Sequence, residues 1–246
     1  MSKRKDKRQR TALFSAINSA VAALPQPDAE DEPTEHAQSH DSQPLTNAQL
    51  ASSKELAQLV TPAGVARELP KMKKFRFQLL HQWMLAHLQP CQVADVGGGK
   101  GLLSYLLQQS GWEATVIDPV AQGLPSKYKD LATNKQTAIA STARVPRISQ
   151  PFRAAMAHEF DLLVAMHAHG CNIQLLDAAA DYGRQVILLP CCIIHEPLYP
   201  APGVHWIQTV VDYGLQKGFT VQPFRLNFKG QNIGLYMHHQ GRASTF

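Results

Sequence analysis

The stretch CQVADVGGGKGLLSYLL, residues 91–107, decides the fold. Val93-Ala94-Asp95-Val96 has the length and composition of a buried parallel strand. Gly97-Gly98-Gly99-Lys100-Gly101 follows, and then a helical pattern with Leu102, Leu103, Leu106 and Leu107 on one side. A strand, a glycine turn and a helix make a ligand-binding signature. Without Cβ atoms the backbone comes close to a ligand, and the N–H groups of the helix start face it.

The spacing narrows the ligand. A P-loop requires Ser or Thr after its lysine, and here Gly101 follows Lys100. The dinucleotide fingerprint, started at Gly97, requires a small residue at 102, where Leu102 stands. Asp95-x-Gly97-x-Gly99-x-Gly101 fits without strain, and it resembles motif I of the class I S-adenosylmethionine (SAM) methyltransferases. The resemblance implies that Asp95 contacts the methionine end of the cofactor, directly or through water. It also implies that Gly97, Gly99 and Gly101 pass beneath the ribose and methionine. Downstream, Ala114-Thr115-Val116-Ile117-Asp118 is a second short run ending in an acid, positioned to accept hydrogen bonds from ribose hydroxyls. Another adenosine cofactor, or a pseudoenzyme, stays open here, because fold does not fix function.

The chain has 246 residues and 44% hydrophobic content, enough for one large α/β domain with extensions. No apolar run approaches the roughly 20 residues of a membrane helix. Cys91, Cys171, Cys191 and Cys192 have no disulfide-framework spacing, which points to a reducing compartment, cytoplasmic by default. The net charge of +5 is uneven. Residues 1–10 form a basic arm suited to nucleic acid, a nuclear address or plain solubility. Thr11–Leu24 reads as a short amphipathic helix, with an organelle presequence as the alternative. Residues 25–46 have the composition of a disordered linker.

Three regions are therefore expected: an arm and linker over 1–46, helices capping the cleft over 47–90, and a cofactor-binding domain over 91–246. Two helices are expected before the first strand, Asn47–Leu69 and Lys71–Gln89. Lys71, Lys73, Lys74 and Arg76 cluster at the start of the second. A solvated helix end and a phosphate contact through Lys73 and Lys74 are both open readings. After Asp118 the pattern predicts a loop with a short helix over 119–136, a weak third strand at Thr137–Ala143, and a loop with a short helix over 144–160. Phe160–Met166 reads as a fourth strand, followed by a helix near Ile173–Gly183 and a fifth strand at Gln185–Leu189. A helix at Val204–Lys217 and a hairpin of Val221–Phe228 with Ile233–His239 close the chain. The fold expected is α/β: the Rossmann-like, seven-stranded methyltransferase sheet, mostly parallel with a C-terminal antiparallel hairpin and helices on both faces.

Ligands of open α/β sheets bind beyond the carboxyl ends of the strands. That places His167, His169 and Cys171 after the fourth strand, and Pro190-Cys191-Cys192 with His195 after the fifth. The pairing of His167-x-x-Gly170 with Pro-Cys-Cys resembles a methyltransferase group that includes the tRNA acceptor-stem 2′-O-methyltransferases. The resemblance covers about residues 70–240. His169 stands where that group has Cys, and its Thr-Asp pair after the glycine has no clear counterpart here. Histidine suits removal of a proton from a hydroxyl or amine acceptor, which makes His167 the first candidate base and His169 the second. Structural hydrogen bonding of the turn is the competing reading for both.

Cys191 and Cys192 admit three readings. They are small residues shaping the cleft floor beside the substrate with His195, a nucleophile for a pyrimidine ring, or part of a zinc cluster. The first is adopted, with no metal expected. The sequence is thus read as a SAM-dependent methyltransferase acting on RNA, held through basic surface and arm. A small-molecule or protein methyltransferase, or a non-catalytic SAM- or RNA-binding protein, is the alternative.

Overall fold

Seven strands meet in one sheet and bring the glycine turn to its centre. The computed structural model describes residues 55–56 and 71–239. The basic arm, the linker and most of the expected Asn47–Leu69 helix lie outside the described residues. The elements in chain order are α1 (Arg76–His87), β1 (Gln92–Val96), α2 (Leu102–Gln109), β2 (Glu113–Ile117), β3 (Lys127–Lys129), β4 (Gln136–Ala138) and β5 (Arg147–Ile148). They continue with β6 (Leu162–Met166), α3 (Asn172–Tyr182), β7 (Gln185–Leu189), α4 (Trp206–Gln216), β8 (Phe219–Arg225) and β9 (Ile233–His239).

The strand order is β5-β2-β1-β6-β7-β9-β8, with β9 antiparallel to both neighbours. This is the seven-stranded Rossmann-like sheet that the sequence predicts. The order reverses between β1 and β6, and a ligand crevice opens at such a switch point. β6 is buried at all five positions, which explains its unbroken LLVAM run. Helices cover both faces. Leu80, Met84, Leu103 and Leu107 pack on one side with Val93, Val164 and Ile187. Leu175, Leu176, Val210 and Val211 pack on the other with Ala94, Leu163 and Leu188.

The structure departs from these expectations between β2 and β6, and again before α1. Thr137–Ala143 is not the third strand of the main sheet. Gln136–Ala138 pairs instead with Lys127–Lys129 in a separate two-stranded sheet, which replaces the short helix expected over 119–136. The main sheet ends on Arg147–Ile148, where the Pro146 carbonyl accepts from Val116 N–H at 2.9 Å. Proline is tolerated there because an edge strand has one side without a ladder to serve. The Lys71–Gln89 helix starts late. Lys71 is in a bridge to Phe228, Lys73–Phe75 is a 3₁₀ turn, and the α-helix begins at Arg76. No helix among the described residues is long and apolar enough to cross a membrane.

Candidate active site

The glycine turn leaves β1 and enters α2 with Gly97, Gly99 and Gly101 all at positive φ. A side chain at Gly97 would strike Ala168, its Cβ falling 2.7 Å from that of the alanine. A Cβ added at Gly99 would meet nothing within 4 Å, so open space for a ligand lies on that side of the backbone. The α2 helix begins at Leu102 without a side-chain cap, so its first N–H groups face the same space.

Two carboxylates hold this turn. Asp95, 2% exposed, lies beneath Gly98 and accepts from Ser104 Oγ–H at 2.8 Å. A Cβ on Gly98 would fall 2.5 Å from Asp95 Oδ2. Gly98 is a constraint that the alternating-glycine pattern does not reveal. Asp118 accepts from Gly99 N–H and from Val120 N–H, both at 2.9 Å. Each oxygen keeps a second lone pair for a ligand hydroxyl. Burial pushes the Asp95 carboxyl up to about 6, against the Ser104 hydrogen bonds and the nearby Arg147 charge.

Arg147 is a second such residue, placed by the sequence only in the 144–160 loop and given no role there. Its Nη2–H donates to Gly99 O at 2.5 Å, so the edge strand braces the turn from the far side. Beside it lies a cleft of about 500 Å³ with a largely uncharged lining that also includes Lys100, Arg144 and Arg147.

Beyond β6 and β7 two loops are clamped together. Gly170 packs against His195, where an added Cβ would lie 2.7 Å from the histidine Cβ. Glu196, 3% exposed, accepts from the backbone N–H groups of Asn172 at 2.9 Å and Ile173 at 3.1 Å. Its carboxylate caps α3, whose own N-cap residue, Cys171, supplies no side-chain cap. The cap comes from 24 residues away, so no local motif announces it.

The clamp gathers His169, Cys191 and Cys192, whose ligand atoms lie within 4.8 Å of one another. Burial and its Cys192 neighbour push the Cys191 thiol up to about 11, and burial pushes Cys171 up to about 12. Both shifts favour the neutral thiol over the thiolate that would attack a pyrimidine ring. His167 has left-handed φ of 58°, and its buried Nε2 has no hydrogen-bond partner. Burial, then the charges of Arg76 and Lys73, depress its imidazole to about 4.

Those cations reach the site through the hairpin. Lys71 N–H donates to Asn227 O and Lys229 N–H donates to Lys71 O, both at 2.8 Å. This bridge lays the segment before α1 along the β8–β9 connection, and Lys73 then acts on both His167 and Cys191. Lys74 instead rests its ammonium 5.3 Å from the centroid of the Phe75 ring. His195 is exposed, at left-handed φ of 62°.

No protein-family model and no curated protein matches the chain. Solved structures similar to it include the ribosomal protein L11 methylase of Lactobacillus delbrueckii subsp. bulgaricus, at 18% identity and TM-score 0.39 over 67% of this chain and 76% of that one. Another is the magnesium protoporphyrin IX methyltransferase of Synechocystis PCC 6803 with bound SAM, at 12% identity and TM-score 0.42 over 81% of this chain and 100% of that one. A third is the 1,6-didemethyltoxoflavin-N1-methyltransferase of Burkholderia thailandensis, at 16% identity and TM-score 0.39 over 82% and 96%.

Two substitutions test this geometry. Gly98→Ala forces the anchored Asp95 aside and should destabilise the fold by about 1–3 kcal/mol in urea melts. Wild-type stability for that variant refutes the placement of Asp95 beneath the turn. Glu196→Ala leaves two buried helix-start N–H groups unpaired and should cost about 2 kcal/mol. Amide exchange should accelerate first at Asn172 and Ile173, and unchanged exchange there removes Glu196 as the clamp.

Proposed function

We propose that this chain is a SAM-dependent methyltransferase whose acceptor is RNA, a tRNA ribose 2′-hydroxyl being the favoured atom. The observation that carries the reading is the glycine turn at the sheet's switch point, held between Asp95 and Asp118. When bound, SAM supplies an electrophilic sulfonium methyl group. Asp118 offers its remaining lone pairs to the ribose hydroxyls. Val120, 58% exposed two residues later, offers apolar surface to a purine face. Asp95 supplies negative charge beneath the cationic methionine end. Methyl transfer then depends mainly on holding the acceptor in line, and the acceptor's proton passes to a base.

His167 suits the role of base because its Nε2 has no partner within the protein. Its depressed affinity for protons keeps it neutral at pH 7 but makes it a weak base. An RNA phosphate docked on Lys73 and Arg76 would offset the two charges that weaken it. Polyanion binding and proton removal are thereby coupled, which favours RNA over a neutral acceptor. His169 and His195 then line the acceptor mouth with Cys191 and Cys192. The basic arm lies outside the described residues, and its part in holding RNA is proposed on charge alone.

The test is transfer of labelled methyl from SAM to pooled cellular RNA, protein and metabolites. Label should enter RNA, and His167→Ala should reduce it by about 10²–10⁴-fold while SAM binding is retained. Label in protein or metabolites alone overturns the acceptor, and SAM binding without any transfer overturns the enzyme. At saturating SAM, the pH profile of kcat/KM for RNA should rise with an inflection near 4 in wild type. Lys73→Ala removes a charge that disfavours imidazolium, so the inflection should move upward.

Asp95 gives a separate prediction. Cationic SAM prefers the carboxylate, and the free protein must lose a proton to present it at pH values below about 6. Affinity should therefore climb as pH rises through about 6 and then level off, by up to about tenfold per pH unit on the rising limb. Asp95→Asn should flatten the curve. An equally steep curve in that variant assigns the titration to another group.

A further inference from the structure

The geometry points to a zinc site formed by His169, Cys191 and Cys192 at the mouth between β6 and β7. All four cysteines are free thiols, and two of them are adjacent in sequence on the loop after β7. Adjacent cysteines in extended backbone tend to point apart. Here they turn the same way: Cys191 Sγ–H donates to Cys192 Sγ at 3.8 Å. Two sulfurs bound tetrahedrally at about 2.3 Å from one zinc ion lie about 3.8 Å apart. The pair is thus already at the spacing of two corners of a zinc tetrahedron. His169 supplies the third donor, with all three ligand atoms within 4.8 Å of one another. A bound set would have nitrogen–sulfur edges of roughly 3.6 Å, so the imidazole needs at most about an ångström of travel. His169 is exposed and free to make it.

The donor chemistry selects the ion. Two thiolates and an imidazole favour zinc over magnesium or calcium, which take oxygen ligands. Charge does not forbid the site. A zinc dication with two thiolates is neutral, so the nearby Lys73 ammonium faces no added positive charge. The supporting frame is also built. Glu196 fastens the loop of Cys191 and Cys192 to the start of α3, two residues after Gly170. Gly170 itself allows the close approach of the His195 segment. The two loops carrying the donors are therefore held in register before any ion arrives, and little ordering is left to oppose binding.

Three protein ligands leave one tetrahedral corner for water or a substrate atom, the arrangement of zinc sites that take part in chemistry. Zinc binding replaces two thiol protons with one ion and needs no oxidant. The inference stands apart from the methyltransferase reading, since it uses neither the glycine turn nor its carboxylates.

The full chain, made without a polyhistidine tag and kept reduced, is dialysed with zinc and its metal content measured. One zinc per chain is expected. Zinc should also protect Cys191 and Cys192, but not Cys91, from alkylation mapped by mass spectrometry. Cys191→Ser with Cys192→Ser should abolish stoichiometric zinc, His169→Ala should weaken it, and Cys91→Ser should leave it unchanged. Substoichiometric zinc in wild type, or full zinc in the double variant, overturns the site. If the double variant does not fold, cobalt substituted into wild type decides. A sulfur-to-cobalt charge-transfer band sized for two thiolates supports the site, and its absence overturns it. SAM binding is titrated in the same samples. Zinc without SAM binding leaves this site standing and removes the cofactor reading, and the reverse result does the opposite.

Discussion

The space between a buried carboxylate and a backbone without side chains governs this molecule. Asp95 fills the volume beneath Gly98 so completely that a single methyl group there would overlap it. The carboxylate is in turn fixed by Ser104, on the first turn of the following helix. Strand, turn and helix are thus locked through one side chain. Asp118 adds a link from the next strand by accepting the Gly99 N–H, and Arg147 adds one from the edge strand by donating to the Gly99 carbonyl. Three neighbouring strands converge on two or three peptide units. A ligand arriving at this turn meets donors and lone pairs already in place, and preorganisation of that kind lowers the cost of binding.

The other half of the site is held by a different device with the same logic. A turn after β6 and a loop after β7 have no sheet ladder to align them. Glu196 supplies the alignment by accepting N–H groups of the α3 start, and Gly170 removes the side chain that would hold the loops apart. One consequence is that His169 and the paired cysteines share a small volume although His169 and Cys191 are 22 positions apart in the chain. Another is that His167 sits at a strand end in left-handed backbone, an uncommon conformation for a residue with a side chain. Such strain persists only where its surroundings determine it, and here the turn is bounded by β6, by the Leu189 carbonyl and by the clamped loop.

What was legible in the sequence follows from range. The β1–turn–α2 unit, β6, β7 and the closing hairpin are each written in a contiguous run, so length, apolar continuity and turn residues suffice to place them. Asp95 and Asp118 were legible for the same reason, as acids at the ends of such runs. The region from 119 to 160 was not. Its main-sheet strand is two residues long and exposed on one edge, so burial imposes no pattern on it, while TAIASTA looks more strand-like than the segment that pairs. Gly98 was hidden by its neighbours, because the spacing rule already had enough glycines. Glu196 and Arg147 act on residues 24 and 48 positions away, a distance at which a single sequence carries no signal.

The basic residues before β1 show how such a distant effect becomes chemistry. From sequence, Lys73 and Arg76 belong to a charged helix start open to two readings, a solvated end or a phosphate contact, and nothing near them in sequence is catalytic. The bridge between Lys71 and Phe228 changes their meaning, because it carries them onto the hairpin connection facing His167. Burial first, and then their charge, disfavour the imidazolium, so the candidate base is weak. A neutral acceptor would leave it so. An acceptor bearing phosphates would bring compensating charge with it and, when docked, would relieve the part of the suppression that the two cations cause. Discrimination between acceptors would then need no dedicated pocket for the reacting group. It would follow from electrostatics acting over a few ångströms, provided the hairpin keeps the cationic segment in place.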